Sequence, residues 1–233
     1  MTAVLLRRLL GAALFCSGCC SVAQTVSPVI VEYKAKAAGQ ITLVNNTLTP
    51  LAVVLEPRSF SITPDGNGVY RPLDADIHVK LSSMSFRIDP GQTYYVFYSA
   101  TADKLPAWFT VYSVFSKVQH GAGLDVRILL PHTDYIYPKK QPRRVPVQVG
   151  RAVYSAKSGK VECDLENNTP DLTRVQEVQI ASGKKSETAA GFPLLPGERR
   201  HLEVSWSEKE PPETMEFEFS HSNLKQPISA GSQ

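Results

Sequence analysis

Apolar and polar residues alternate with a period of two along most of this chain, which is the repeat of a β-strand with one buried face. Ile41, Leu43 and Asn45 alternate with Thr42 and Val44, and residues 51–55 form a β-rich apolar run. Phe60-Ser61-Ile62 and Val69-Tyr70-Arg71 flank Pro64-Asp65-Gly66-Asn67-Gly68. That cluster reads as a hairpin tip, because Asp, Asn and Gly supply the positive φ angles of tight turns. A calcium loop at Asp65 and Asn67 is the sharper reading, but the further oxygen ligands and closing Glu of such a loop are missing. Residues 84–88, 94–98, 108–115 and 124–137 continue the strand pattern, the last broken by Pro131. Shorter strands are expected at 152–154, 161–165, 175–180, 192–195, 201–206 and 215–219. Residues 220–233 are polar and aperiodic and are expected to be loose. No segment carries a helical stripe of any length.

The strand pattern occurs twice. Gly39-Gln40-Ile41-Thr42-Leu43-Val44-Asn45-Asn46-Thr47 opens one half, and Gly159-Lys160-Val161-Glu162-Cys163-Asp164-Leu165-Glu166-Asn167-Asn168-Thr169 opens the other. Each is followed by an apolar residue and a Pro-Gly turn, Ile88-Asp89-Pro90-Gly91-Gln92 and Leu195-Pro196-Gly197-Glu198. A repeat of domain size predicts an all-β protein of two tandem immunoglobulin-like β-sandwich domains. The boundaries are 24–138 for the first domain, 139–146 for a basic, Pro-rich linker, 147–220 for the second domain and 221–233 for the tail. Aromatic and β-branched density supplies the two cores.

Residues 1–23 have the composition of an export signal. Arg7 and Arg8 precede a short apolar stretch, and Ser21-Val22-Ala23 offers the small residues of a cleavage site. Periplasmic localisation is expected, with a lipoprotein anchored through Cys19 as the second choice. Cys16, Cys19 and Cys20 lie in the leader, which leaves Cys163 of the four cysteines. Its strand neighbours Val161 and Leu165 predict a buried, unreactive thiol. Removal of Arg7 and Arg8 takes the formal charge from +3 to +1, so charge makes no case for a nucleic acid or an anionic membrane. No apolar segment after the leader is long enough to span a bilayer.

Catalytic chemistry finds little support. His78, His120, His132, His201 and His221 are scattered singly, with no metal-ligand spacing. There is no Gly-x-Ser-x-Gly elbow, phosphate loop or dinucleotide fingerprint. His132 and Asp134 share one strand face and, with no nucleophile indicated, read as a surface polar pair. No enzyme activity, metal or cofactor is expected.

The residues together resemble the periplasmic pilus-assembly chaperones, the PapD-like family. The likeness runs from Val26-Ser27-Pro28 through Asn45-Asn46-Thr47, Pro90-Gly91-Gln92 and Lys104-Leu105-Pro106 to Tyr137-Pro138, and resumes at Gly159, Asn167-Asn168 and Leu195-Pro196-Gly197. The resemblance implies that the last strand of the first domain lends alternating apolar side chains to an incomplete subunit, by donor strand complementation. Leu124, Val126 and Ile128 are the matching positions, and Leu130 extends the row. An open strand edge offers free N–H and C=O groups while every second side chain fills the partner's pockets. The alternative is an ordinary half-buried strand facing its own core.

The resemblance also implies a cationic pair that holds the client's C-terminal carboxylate. Thr133 stands at its Lys position, and Val31 and Glu32 stand near its Arg position. Lys34, Lys139 and Arg143 are the substitutes in sequence reach. The implied partners are an exported, pilus-type subunit and an outer-membrane usher, in pilus assembly and fimbrium biogenesis. Two further classes stand beside the chaperone: a structural or adhesive module of the envelope, lipid-anchored through Cys19, and an exported hydrolase on a β-scaffold.

Overall fold

A computed structural model describes residues 23–118, 126–140 and 147–231; the leader with Cys19, and Leu124 and Arg143, lie outside the described residues. No helix occurs among the described residues, and therefore none long and apolar enough to cross a membrane. The first domain contains β1 (Thr25–Ser27), β2 (Ile30–Lys34), β3 (Ala37–Val44), β4 (Leu51–Ile62), β5 (Gly68–Pro72), β6 (Ile77–Leu81), β7 (Ser85–Ile88), β8 (Thr93–Ala102), β9 (Ala107–Lys117) and β10 (Ile128–Tyr137). One sheet has the order β1-β3-β8-β6; the other runs β2-β10-β9-β4-β5, with β7 also paired to β4. The chain therefore changes sheets between β1 and β2, at Pro28. Ile41, Leu43, Val53, Leu55, Phe109 and Phe115 fill the space between the sheets. Each such side chain contributes about 1.5–3 kcal/mol by leaving water.

The second domain contains β11 (Gln148–Val149), β12 (Ala152–Ser155), β13 (Lys160–Glu166), β14 (Thr173–Ser182), β15 (Lys185–Leu194), β16 (Arg199–Ser205), β17 (Thr214–Phe219) and β18 (Ser222–Ala230). Val161, Cys163, Leu165 and Val204 face Val175, Val178, Ile180, Met215 and Phe217 across its core. The expectation of a loose tail at 221–233 is corrected here. β18 is a nine-residue strand between β17 and a parallel β12. Its outward face is polar and only Leu224 and Ile228 pack inward, so alternation was too sparse to see.

The sequence repeat is a repeat of hydrogen bonds. Asn45 donates from Nδ2 to the carbonyls of Thr49 (2.9 Å) and Ile88 (3.0 Å), and its Oδ1 accepts from Thr47. Asn167 donates to Asp171 (2.7 Å) and Leu194 (3.0 Å), and its Oδ1 accepts from Thr169. The backbone agrees: Gly91 N donates to Asn45 O and Gly197 N to Asn167 O. Gly91 and Gly197 have φ of 70° and 73°, a region open to glycine at little cost. Each corner is pinned by one buried amide that has no solvent substitute.

A third apolar cluster joins the domains: Phe60, Tyr135 and Tyr137 from the first, Leu172 and Leu195 from the second. Arg174 Nη1 meets Glu32 Oε1 at 3.3 Å across the same junction. The β4–β5 hairpin tip docks on β16, where His201 N donates to Pro64 O (2.9 Å) and the Arg200 guanidinium lies against Gly66.

Asn45→Ala strands the buried carbonyl of Ile88 and is expected to cost about 1–3 kcal/mol in urea unfolding, against under about 0.5 kcal/mol for Gln92→Ala on the exposed side of the same turn. The Cys163 thiol is pushed up to about 11, by burial and then by the Asp164 charge. Thiol reagents at pH 8 are therefore expected to leave the folded chain unlabelled and to modify one cysteine of the leaderless protein once denaturant is added.

Candidate functional site

The site is built on β10. On one side the strand pairs with β9 along its length, from Ile128 opposite Phe115 to Ile136 opposite Ala107. On the other side β2 runs parallel, but only from Thr133 opposite Ile30 to Tyr137 opposite Lys34. Thr133 N donates to Val29 O and Tyr137 O accepts from Ala35 N, so odd-numbered residues of β10 direct their backbone groups to that second side. Beyond Val29 no strand among the described residues pairs with that side. It presents the N–H and C=O of Leu129 and the C=O of Pro131. Pro131 does not break the strand, contrary to the sequence reading, because its missing N–H falls on the unpaired edge.

The predicted row divides at this edge. Val126 and Ile128 are 47% and 40% exposed. Leu130 is half-buried and packs against the first-domain core. Ile128 lies beside the buried Phe115, yet has no strand on its other flank, which leaves it open to solvent. Leu129 points to the opposite face and is 51% exposed. In register with it across the sheet are Val114 and Val54, which make an apolar row that alternation alone did not single out.

Two rows further along that outer face lie Thr133, Thr110 and Arg58. Thr133 spends its hydroxyl on Thr110, 2.9 Å away. Lys34 is four residues from Ile30, the partner of Thr133, or about 13 Å along the strand. Lys139 is exposed after β10. The structure thus brings neither lysine to Thr133. The cations on this face are instead Arg58, paired with Glu56 at 2.6 Å, and Arg174, held by Glu32 and by Gln176 (3.1 Å) with its Nε buried and unpartnered. The alternation Arg58-Ser59-Phe60 carried a signal for the first, since it places Arg58 on the face of the junction residue Phe60. Arg174 comes from the other domain and had no local signal.

His132 and Asp134 are not on the surface: both are fully buried. His132 Nδ1 donates to Pro28 O at 2.6 Å, the one arrangement a carbonyl allows. Tyr98 donates to Asp134 Oδ1 (2.7 Å), and Tyr33 then donates to Tyr98 (2.8 Å). His132 Nε2 lies 3.0 Å from Tyr98 Oη and 3.3 Å from Asp134 Oδ2. Burial first, then Tyr33 and Asp134, hold the Tyr98 hydroxyl far above its ordinary pKa, so it stays protonated. This sealed cluster ties the sheet-changing segment at Pro28 to β8 and β10. Among the described residues no group of His, Cys, Asp and Glu side chains is arranged to hold a metal.

No family model and no curated protein matches this sequence. Solved structures do match its fold. The YadV chaperone aligns with a TM-score of 0.54 at 13% identity, over 87% of this chain and 98% of its own. The class 5 fimbriae chaperone CfaA aligns with a TM-score of 0.51 at 12% identity, over 89% and 99%. The fold is that of the PapD-like chaperones. A chain of the CsuC–CsuE chaperone–tip adhesion subunit pre-assembly complex, from the archaic chaperone–usher Csu pili of Acinetobacter baumannii, aligns with a TM-score of 0.50 at 15% identity, over 90% and 100%. The two-sandwich architecture expected from the internal repeat is thus shared with fimbrial chaperones along nearly their whole length.

Tyr98→Phe removes the hydroxyl that serves Tyr33, His132 and Asp134. It is expected to cost about 1–3 kcal/mol in denaturant unfolding, with the fold retained by circular dichroism.

Proposed function

We propose that this protein is a periplasmic chaperone that stabilises an exported, pilus-type subunit by lending it β10. The observation that carries the reading is the half-paired strand. From residue 128 to 131 it has β9 on one side and, among the described residues, no pairing strand on the other, next to two projecting aliphatic side chains. A strand laid along that edge gains hydrogen bonds to Leu129 and Pro131. It also takes Ile128 and Val126 into its own core; Leu124, the preceding member of the sequence row, lies outside the described residues. The shared fold supports the reading, since one of its relatives is in complex with a tip adhesion subunit.

The same face supplies two guanidinium groups that suit a client's terminal carboxylate, Arg58 in the row of Thr133 and Arg174 beside Glu32. Guanidinium binds carboxylate through paired N–H donors, which a threonine hydroxyl cannot reproduce. Export by the leader and hand-over to an outer-membrane usher complete the proposed role. No catalytic step is part of it.

Two variants separate backbone from side-chain contributions. Leu129→Pro deletes an N–H that has no partner among the described residues, so stability is expected to stay within about 0.5 kcal/mol while client affinity falls about 5–10-fold. Val126→Asp with Ile128→Asp withholds two buried aliphatics and is expected to lower affinity by about 100-fold or more. The readout is recovery of a small β-rich pilus-type subunit co-expressed in the periplasm. Undiminished recovery with both variants would refute strand lending.

A further inference from the structure

The two Pro-Gly corners are built alike but placed differently. Gln92 follows the first, where its N–H donates to Asp89 O and its carbonyl accepts from Asn45 N; Glu198 follows the second with the same two bonds, to Leu195 and from Asn167. Gln92 is exposed, whereas Glu198 is 8% exposed. An acid therefore sits, at the domain junction, where the equivalent corner carries a solvated amide. Glu198 Oε2 accepts from Leu195 N at 2.7 Å, and the Leu195 side chain belongs to the cluster that joins the domains. Glu198 Oε1 is buried without a partner.

The groups around this carboxyl explain why the orphan oxygen stays unpaired. From β16, Arg200 exerts an attraction, but its guanidinium stacks 5.0 Å over the Phe192 ring and rests on Gly66 of the other domain. From β14, Arg174 is engaged by Glu32 of β2 and by Gln176. From β10, Tyr135 feels Glu198, Glu32 and Arg174 together, and burial keeps its hydroxyl protonated. Tyr137 is buried beside it and contacts Glu32 at 3.4 Å. Among the described residues no donor bonds Oε1: Arg200 and the Nη1 of Arg174 are engaged elsewhere, and Arg174 Nε, itself buried and unpartnered, does not reach it.

We infer that Glu198 is a protonation-controlled brace of the domain junction: its neutral form is compatible with the closed arrangement, and its ionised form loosens it. Burial pushes this carboxyl up to about 7, against the opposing pull of the Leu195 N–H and Arg200. A raised acid favours the closed state below the ordinary carboxylate value and loses that advantage as pH climbs through the raised value. The junction is therefore tight at mildly acidic pH and looser above neutrality. The shift from 4.5 to about 7 corresponds to at most a ~300-fold fall in the closing equilibrium, if opening hydrates the carboxylate fully. The inference does not depend on a client, since it concerns the free chain.

The test is the inter-domain distance distribution from spin labels on Lys80→Cys and Lys184→Cys in the leaderless protein, measured from pH 5 to pH 9. Both sites are exposed, one in each domain. The wild-type background is expected to give a narrow distribution at pH 5 that broadens between about pH 6 and pH 8. Glu198→Gln, which mimics the neutral acid, is expected to stay narrow throughout. A wild-type distribution that does not change with pH, or a Glu198→Gln variant that broadens like the wild type, would overturn the inference. Carboxyl carbon NMR of Glu198 in the unmutated chain gives an independent reading: a midpoint near the ordinary carboxylate value would overturn it even if the variant failed to fold.

Discussion

A β-strand has two hydrogen-bonding sides, and β10 fills its second side along only half its length. Thr133 to Tyr137 is matched by β2; then β2 ends, because the chain must cross to the opposite sheet to form β1. The crossing point is not left to chance. His132 Nδ1 grips Pro28 O, and the same imidazole belongs to a cluster with the buried Tyr98 and Asp134 and the half-buried Tyr33. A buried polar network favours the geometry that pairs most of its donors and acceptors, and here Tyr98 is bonded to Tyr33, His132 and Asp134 at once. The length of open edge is thus set from inside the sandwich by groups that never meet a client.

An open edge invites pairing with the wrong neighbour, and this one is blunted in a particular way. Pro131 removes a donor while leaving its carbonyl, so the free stretch of β10 offers the single N–H of Leu129 against two acceptors. A second copy of the same edge would meet the same shortage of donors, whereas a client strand brings its own. Proline here limits promiscuous association without shortening the strand.

The sequence made the architecture legible because its repeat has a physical cause. Asn45 and Asn167 each tie together carbonyls from distant parts of the chain, and a Pro-Gly turn must follow at a fixed place for the backbone bonds to close. Such a corner leaves a trace in both halves. The donor row was legible as alternation, though alternation could not tell that Leu130 would pack against the core while Val126 and Ile128 project past it. Reading His132 and Asp134 as surface groups followed from polarity alone; Tyr98 lies 34 and 36 positions from them and Pro28, the other partner of His132, lies 104 away, and periodicity carries no record of such pairings. Arg174 was invisible for the same reason, since its role exists only across two domains.

The open edge and the domain junction belong to one continuous strand. Tyr135 and Tyr137 of β10 lie in the cluster that joins the domains, and Leu129 is six residues from Tyr135, about 20 Å along the same strand. One unbroken ladder with β9 carries that stretch from Ile128 to Ile136, so the free edge and the gripped tyrosines are parts of a single paired strand. Glu32, Arg174 and the apolar cluster hold that grip, and the hairpin tip against Arg200 braces it from the side. A change in the junction therefore moves the second domain about the edge without altering the edge itself. The relation between the domains can change while the unpaired backbone groups of β10 stay where the buried histidine put them.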